Sequence, residues 1–315
     1  MLRRTLLAAP LLATSAAAQP AWPARPIRIV NPCPAGSPDA MVRFLAERLT
    51  AALGQPVLVE GRSGAGGTIG AGLVAHAPPD GYLLGIGNLG PHAMAPATYP
   101  GLRHDPLRDV THLALLGELP LSLAVSAAGP HADLAGFIAA GRAAPGQLRA
   151  GTVGKGTLGD LVPDLLRRET GAEFAAIPFR GGAPAIIGTL GGRIEATLAS
   201  LGETGGQERL RLLAPASAAR VPRFPDAPTF REAGLDLVAE VWFGLCGPAG
   251  LPAPVVARLE REVAANIRSE PYGRFLAGLG AGPHRPLDAA AWTRFVAAEG
   301  VRRGDAARAA DLRAE

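Results

Sequence analysis

With 315 residues, 48% hydrophobic and 18% charged, the chain reads as globular, and it exceeds what one hydrophobic core comfortably serves, so two domains are expected. The net charge of +4 comes almost wholly from arginine, Lys155 being the only lysine, and the arginines form no basic run with interleaved aromatics, which argues against nucleic acid as a partner. Cys33 and Cys246 could pair in an oxidising compartment or stay as two buried thiols, and the six histidines show no ligand spacing around them, so no metal or other cofactor is expected.

Residues 1–18 open with a basic start, run through a short apolar stretch and end on Ala16-Ala17-Ala18, the pattern of a secretory signal peptide cleaved before Gln19. The apolar stretch falls short of the roughly 20 residues a membrane span requires. Arg3 and Arg4 leave the general secretory and twin-arginine routes both open.

The rest alternates strand, glycine-rich loop and helix, the pattern of an α/β protein with mostly parallel sheets. Ile27 to Val30 is a short apolar strand that runs into a Pro/Gly loop. A helix follows in which Met41, Phe44, Leu45, Leu49, Ala52 and Leu53 share one face; Ser37 serves as its N-cap, Pro38 as its first helical residue and Gly54 as its stop. Strand Val57 to Glu60 leads into Gly61 to Gly67 and a small-residue helix, Thr68 to His76. Strand Tyr82 to Ile86 ends in a loop through His92. Two strands follow, Leu113 to Gly117 and Leu121 to Ser126. Helix Leu134 to Ala143 and strand Leu148 to Thr152 precede a second glycine loop, Val153 to Thr157. Because proline is tolerated only in a first turn, Pro163 places the start of the next helix near Asp160. A strand over Ala175 to Pro178, a helix to Leu190 and a strand over Ile194 to Ala199 complete this half. Arg209 to Ala216 carries the chain back, and the remainder is read as mainly helical.

Two chain crossings, near residues 123 and 225, divide the mature chain into a discontinuous lobe (22–122 and 226–315) and a second lobe (123–225). A cleft between them would be lined by strand-end loops of both. Each glycine loop ends at a helix N-terminus, where free backbone N–H groups and the helix dipole suit a carboxylate or phosphate.

Motifs for other chemistry fail on spacing. Gly64 to Gly70 is GxGxxxG and lacks the acidic residue of a dinucleotide site; Gly154-Lys155-Gly156-Thr157 lacks the Ser or Thr directly after lysine that a P-loop needs. No nucleophile elbow or zinc-protease motif is present. Glu118, Glu203, Asp160 and His92 could reach a cleft, but nothing pairs them as acid and base.

The order of motifs carries a resemblance. Trp22 to Val30, Gly54-Gln-Pro-Val57, Glu60 to Gly67, Pro79-Asp-Gly-Tyr82, Tyr99 to Asp109, Pro178-Phe-Arg-Gly181, Gly191-Gly-Arg193, Arg220 to Thr229 and Trp242 to Gly250 together resemble the Bug, or TctC, family of periplasmic solute-binding proteins. These are the extracytoplasmic receptors of tripartite tricarboxylate transporters. The resemblance covers the mature chain and implies a type II periplasmic binding protein fold, a periplasmic location and no enzymatic activity. It also implies a monomer that delivers a small carboxylate to membrane subunits. Carried over by position, the first-lobe site is Ala35, Gly36, Ser37 and Asp39 with Asn88 and Gly90 beside it. The second-lobe site is Thr152, Gly154, Lys155, Gly156, Thr157 and Asp160, with Arg180, Gly181 and Ser200 adjacent.

This sequence departs from the family pattern in places. The loop at Gly36 to Asp39 is one residue shorter, Asp160 stands where histidine is frequent, and Ala95 replaces a common asparagine. The ligand therefore does not transfer with the family. A receptor that feeds a signalling partner, or an exported enzyme on the same scaffold, are the alternative readings.

Overall fold

A computed structural model describes residues 22–282 and 286–313; the expected signal peptide lies outside the described residues. The chain opens as β1 (Ile27–Asn31), α1 (Ser37–Leu53), β2 (Val57–Gly61), α2 (Thr68–Ala75) and β3 (Leu83–Asn88), with β1 parallel to both β2 and β3. In α1, Met41, Leu45, Leu49 and Leu53 are buried, with Val42 and Ala46 filling a second row. Ala52 is exposed, whereas Phe44 is half-buried and stacks on Phe275 with ring centroids 4.5 Å apart. The N-cap is Gly36 at φ +150°, not Ser37, which is already helical; the cap therefore has no side-chain acceptor. Gly54 ends the helix at φ +69°, its N–H donating to the Thr50 carbonyl at 3.1 Å.

After a π-helical turn at Gly90–Met94 and the short α3 (Ala95–Thr98), the two strands expected over 113–126 prove to be one, β4 (Val110–Ser126). Pro120 reads as a break in sequence, but its φ suits an extended chain and only its missing donor matters. That missing donor falls where β4 changes partners. Up to Pro120↔Glu240 it pairs antiparallel with β9 (Glu240–Pro248); from Leu121↔Ser200 it pairs with β7 (Ala196–Ser200) and β8 (Leu210–Pro215).

The second half runs α4 (Leu134–Ala143), β5 (Leu148–Thr152), α5 (Leu158–Thr170), β6 (Phe174–Pro178), α6 (Gly182–Leu190), β7, α7 (Leu201–Thr204) and β8. Here β5 is parallel to β6 and β7. The sheets are thus parallel on their outer sides and antiparallel around β4 and β9. Helix α5 starts at Leu158 rather than near Asp160, and Pro163 stands inside it. The tight first turn, with Asp160 N–H on the Thr157 carbonyl at 3.0 Å, is what places the proline beyond the first turn.

The return path holds the crossing together. Ala216 N–H donates to Leu121 O (2.8 Å), Leu121 N–H to Ala239 O (2.9 Å) and Ala239 N–H to Ala216 O (2.8 Å). The C-terminal part is not only helical: β9 lies between β3 and β4 before α8 (Ala253–Ile267), α9 (Glu270–Gly278) and α10 (Ala289–Ala309). The two cysteines do not pair. Cys246 Sγ donates to Gly85 O at 3.3 Å, and burial pushes both thiols up to about 12. No helix among the described residues is long and apolar enough to cross a membrane.

Under α10, His92 and His112 sit among Trp242 and Trp292, and the Nε2 atom of each histidine meets no hydrogen-bonding partner in the protein. Burial, with mutual repulsion, pulls His92 down to about 3, and burial alone pulls His112 to about 4. A histidine whose folded pKa is depressed is protonated first in the unfolded chain. Stability is therefore complete above the ordinary value of 6.5 and is lost as pH falls towards the folded values. Between pH 7.5 and pH 5 each histidine is expected to remove ~2 kcal/mol. Urea melts at the two pH values check this, and equal stability at both would contradict it.

Candidate functional site

A cleft of about 1030 Å³ opens between the strand ends of the two halves. It is floored by Leu119, Leu121, Val241 and Phe243 at the crossing strands. From the first half it takes the loop after β1 (Cys33, Pro34, Ala35, Pro38), the Ser63–Gly67 loop, Asn88, Gly90 and Tyr99. From the second half come Gly154, Lys155, Thr157, Phe179, Arg180, Gly181, Ser200 and Glu203. Strand-end glycines let these loops approach. A Cβ at Gly181 (φ +114°) would meet Pro34 Cγ at 2.9 Å, and one at Gly202 would meet both Ser37 Oγ and Leu279 O at 2.7 Å. Tyr99 Oη also donates to Lys155 O across the cleft at 3.4 Å. The two halves therefore touch along the mouth.

Of the residues expected from sequence, Ala35, Asn88, Gly90, Gly154, Lys155, Thr157, Arg180, Gly181 and Ser200 line this cleft. Their roles differ. Lys155 and Arg180 are exposed and form no ion pair with a described residue, so both cations are available to an anion. Asn88 is occupied by the scaffold: its Nδ2 donates to Cys33 Sγ at 3.0 Å and its Oδ1 accepts from Gly90 N–H at 3.1 Å.

The others stand behind the wall. Asp39 accepts from Asn31 Nδ2 (2.8 Å) and pairs with Arg43 (2.7 Å), which turns its carboxylate to the scaffold. Asp160, nearly buried, accepts from Gly156 N–H at 3.1 Å and Thr152 Oγ1 at 3.4 Å. A carboxylate of the protein thus already holds the Gly156 amide. Gly36 and Ser37 pack against α7, where Glu203 and Gly202 lie.

Phe179, which the Phe179–Gly181 stretch places beside the second glycine loop, also lines the cleft; sequence reasoning missed Tyr99, Phe243 and the Ser63–Gly67 loop as a wall of the site. The Ser63–Gly67 glycines carry a signal that fails only as a dinucleotide motif; Gly66 lies beside Tyr99 Oη, its would-be Cβ only 2.8 Å away. Tyr99 and Phe243 had no local signal: Tyr99 arrives at the end of α3, and Phe243 is placed by the pairing of β9 with β3 and β4.

Thr157 caps the second glycine loop from within, donating its hydroxyl to Gly154 O at 2.7 Å. Replacing it by alanine frees that loop without touching the core. Thr157→Ala is expected to weaken ligand binding by about tenfold, the worth of one hydrogen bond of ~1 kcal/mol or slightly more. The melting temperature of the ligand-free protein should stay nearly unchanged. Calorimetry showing equal affinity in both proteins would remove Thr157 from the site.

Residues 41–312 match the family model described as the tripartite tricarboxylate transporter family receptor, TctC. Protein BugT of Bordetella pertussis is 34% identical over 268 residues, which span 83% of this chain and 82% of BugT. Among solved structures, an R. palustris protein with adipate aligns at TM-score 0.88 and 32% identity, covering 93% of this chain and 99% of that one. MatC from Rhodopseudomonas palustris with bound malate aligns at TM-score 0.82 and 31% identity, covering 90% and 99%. The α/β periplasmic-binding-protein fold expected from sequence is borne out by these likenesses.

Proposed function

The chain belongs to the tripartite tricarboxylate transporter receptor family, a family of solute-binding proteins, and we propose that it captures a small carboxylate between two lobes and delivers it to the membrane subunits of such a transporter. The observation that carries this reading is the pairing of two unengaged cations, Lys155 and Arg180, with glycine-rich strand-end loops in one interlobe cleft. Cations beside accessible backbone N–H groups satisfy the oxygens of a carboxylate without any covalent step. The adipate and malate held by two relatives support the same ligand class.

Closure follows from the topology. The lobes, 22–122 with 226–315 and 123–225, are joined where β4 and the return path change sheets. Rotation about those two crossings opens and closes the cleft, and a ligand touching both lobes favours the closed state. Export by the signal sequence places the receptor in the periplasm, where it acts as a monomer.

A thermal-shift panel on the exported chain, unfolded and refolded to clear carried-over ligand, tests the reading. A dicarboxylate at 100 times its dissociation constant adds ~2.7 kcal/mol and raises the midpoint by several degrees. A panel of aliphatic, aromatic and amino-substituted mono-, di- and tricarboxylates with no shift would overturn it.

A further inference from the structure

Glu203 is the one acidic side chain among the residues that line the cleft, facing a wall whose other charged groups are Lys155, Arg180 and Arg313. Sequence explains half of its placement. Ser200 and Glu203 have capping-box spacing at the start of α7, and Glu203 Oε2 accepts from Ser200 Oγ at 2.8 Å. Oε1 points across the mouth at Gly36, the N-cap of α1, where any side chain would collide with it; Oε2 lies 2.7 Å from where a Cβ of Gly182 would stand. The carboxylate is thus wedged between the starts of α1 and α6, the places where a ligand carboxylate would seek N–H donors. Asp39 and Asp160, the other acids near these loops, are turned into the scaffold and satisfied there.

A ligand carrying only carboxylates would bring like charge against Glu203 in a partly desolvated site. A ligand with a cationic nitrogen next to its carboxylate relieves that conflict, because the nitrogen donates to Oε1 while the carboxylate reaches the cations and loop amides. We propose that Glu203 selects amino-carboxylates, reading an ammonium group on a ligand whose carboxylates are held by Lys155 and Arg180. Burial lifts the Glu203 carboxyl above its ordinary range. This inference rests on the carboxylate-receptor reading and refines it.

The test is a matched series that differs at one carbon: succinate, L-malate and L-aspartate, each titrated by calorimetry into the refolded full chain and its Glu203→Gln variant. Glutamine keeps the volume and still accepts from Ser200, so the cap and fold are preserved. The wild type should bind aspartate at least tenfold more tightly than succinate, with malate between. In Glu203→Gln that preference should shrink tenfold or more, through weaker aspartate and stronger succinate binding. L-glutamate against glutarate repeats the comparison for a longer ligand. If malate or succinate binds but the amino partner gains nothing, or if the preference is equal in both proteins, the assignment to Glu203 is overturned and the receptor reading stands. If none of the five binds while adipate does, the assignment also falls. Binding of none, adipate included, overturns both.

Discussion

Gly202→Val should weaken carboxylate binding by about 100-fold while leaving the ligand-free protein folded. Gly202 is helical in α7 and has no left-handed φ, so valine brings little backbone strain. Its Cβ, however, would meet Ser37 Oγ and the Leu279 carbonyl, both at 2.7 Å, the first on α1 and the second just after α9. The Leu279 atom belongs to the backbone and cannot swing away. The substitution therefore acts as a wedge at the mouth rather than a cavity or a lost contact. If the binding-competent closed state falls to about 1% of the population, apparent affinity falls by the same factor. Calorimetry gives the affinity and a thermal melt the fold; Gly202→Ala should fall between the two proteins. Unaltered affinity in Gly202→Val would show that binding does not require the lobes to meet at α7.

The largest loss of stability is expected from Trp292→Ala. Trp292 on α10 is fully buried, 4.8 Å from the His112 ring and 6.3 Å from Trp242, with near-perpendicular interplanar angles of 78° and 85°. Its indole lies directly over Gly244 of β9, where any side chain would collide with it, and the glycine has no side chain to fill the space it leaves. Removing a buried tryptophan that the surroundings cannot replace costs about 3–5 kcal/mol. The urea midpoint should drop accordingly with an unchanged slope. A loss below ~1 kcal/mol would mean that α10 is not the clamp on the central strands. Gly244→Val offers the complementary test: it meets the same indole and the Ala114 carbonyl, the latter at 2.7 Å, and should be comparably destabilising.

Local periodicity made much of this fold readable. Helix α1 announces itself through Met41, Leu45, Leu49 and Leu53, and the helix over 134–143 through Pro130 before it and Pro145-Gly146 after it. Strand β9 escaped because it is buried along most of its length; Trp242, Phe243, Leu245 and Cys246 show no alternation, and glycines at 244 and 247 look like a turn. β4 was divided at Pro120 because a proline's missing donor is visible in sequence, whereas the change of partner that excuses it is not.

The site was legible in the same measure. Glycine loops at strand ends identify themselves, and nine of the expected residues do line the cleft. Which donors remain open is decided by contacts that no short window contains. Asp160 takes the Gly156 amide, Asn88 spends its amide on Cys33 and on Gly90, and Glu203 reaches Gly36 from 167 positions away. Asp39 looked like a ligand contact because it follows the glycine loop, yet one helical turn later Arg43 claims it.

The central claim is that Lys155 and Arg180 hold a carboxylate between the two lobes. Both side chains are exposed at the cleft, so replacing them by alanine disturbs little packing. The direct measurement is calorimetric titration of malate, adipate and aspartate into the refolded wild type and the Lys155→Ala/Arg180→Ala double variant. The account predicts saturable one-to-one binding of at least one of these acids to the wild type. It also predicts at least a 100-fold loss in the double variant, in keeping with ~1.5–3 kcal/mol for each charged hydrogen bond. Binding of equal strength in the two proteins would contradict it.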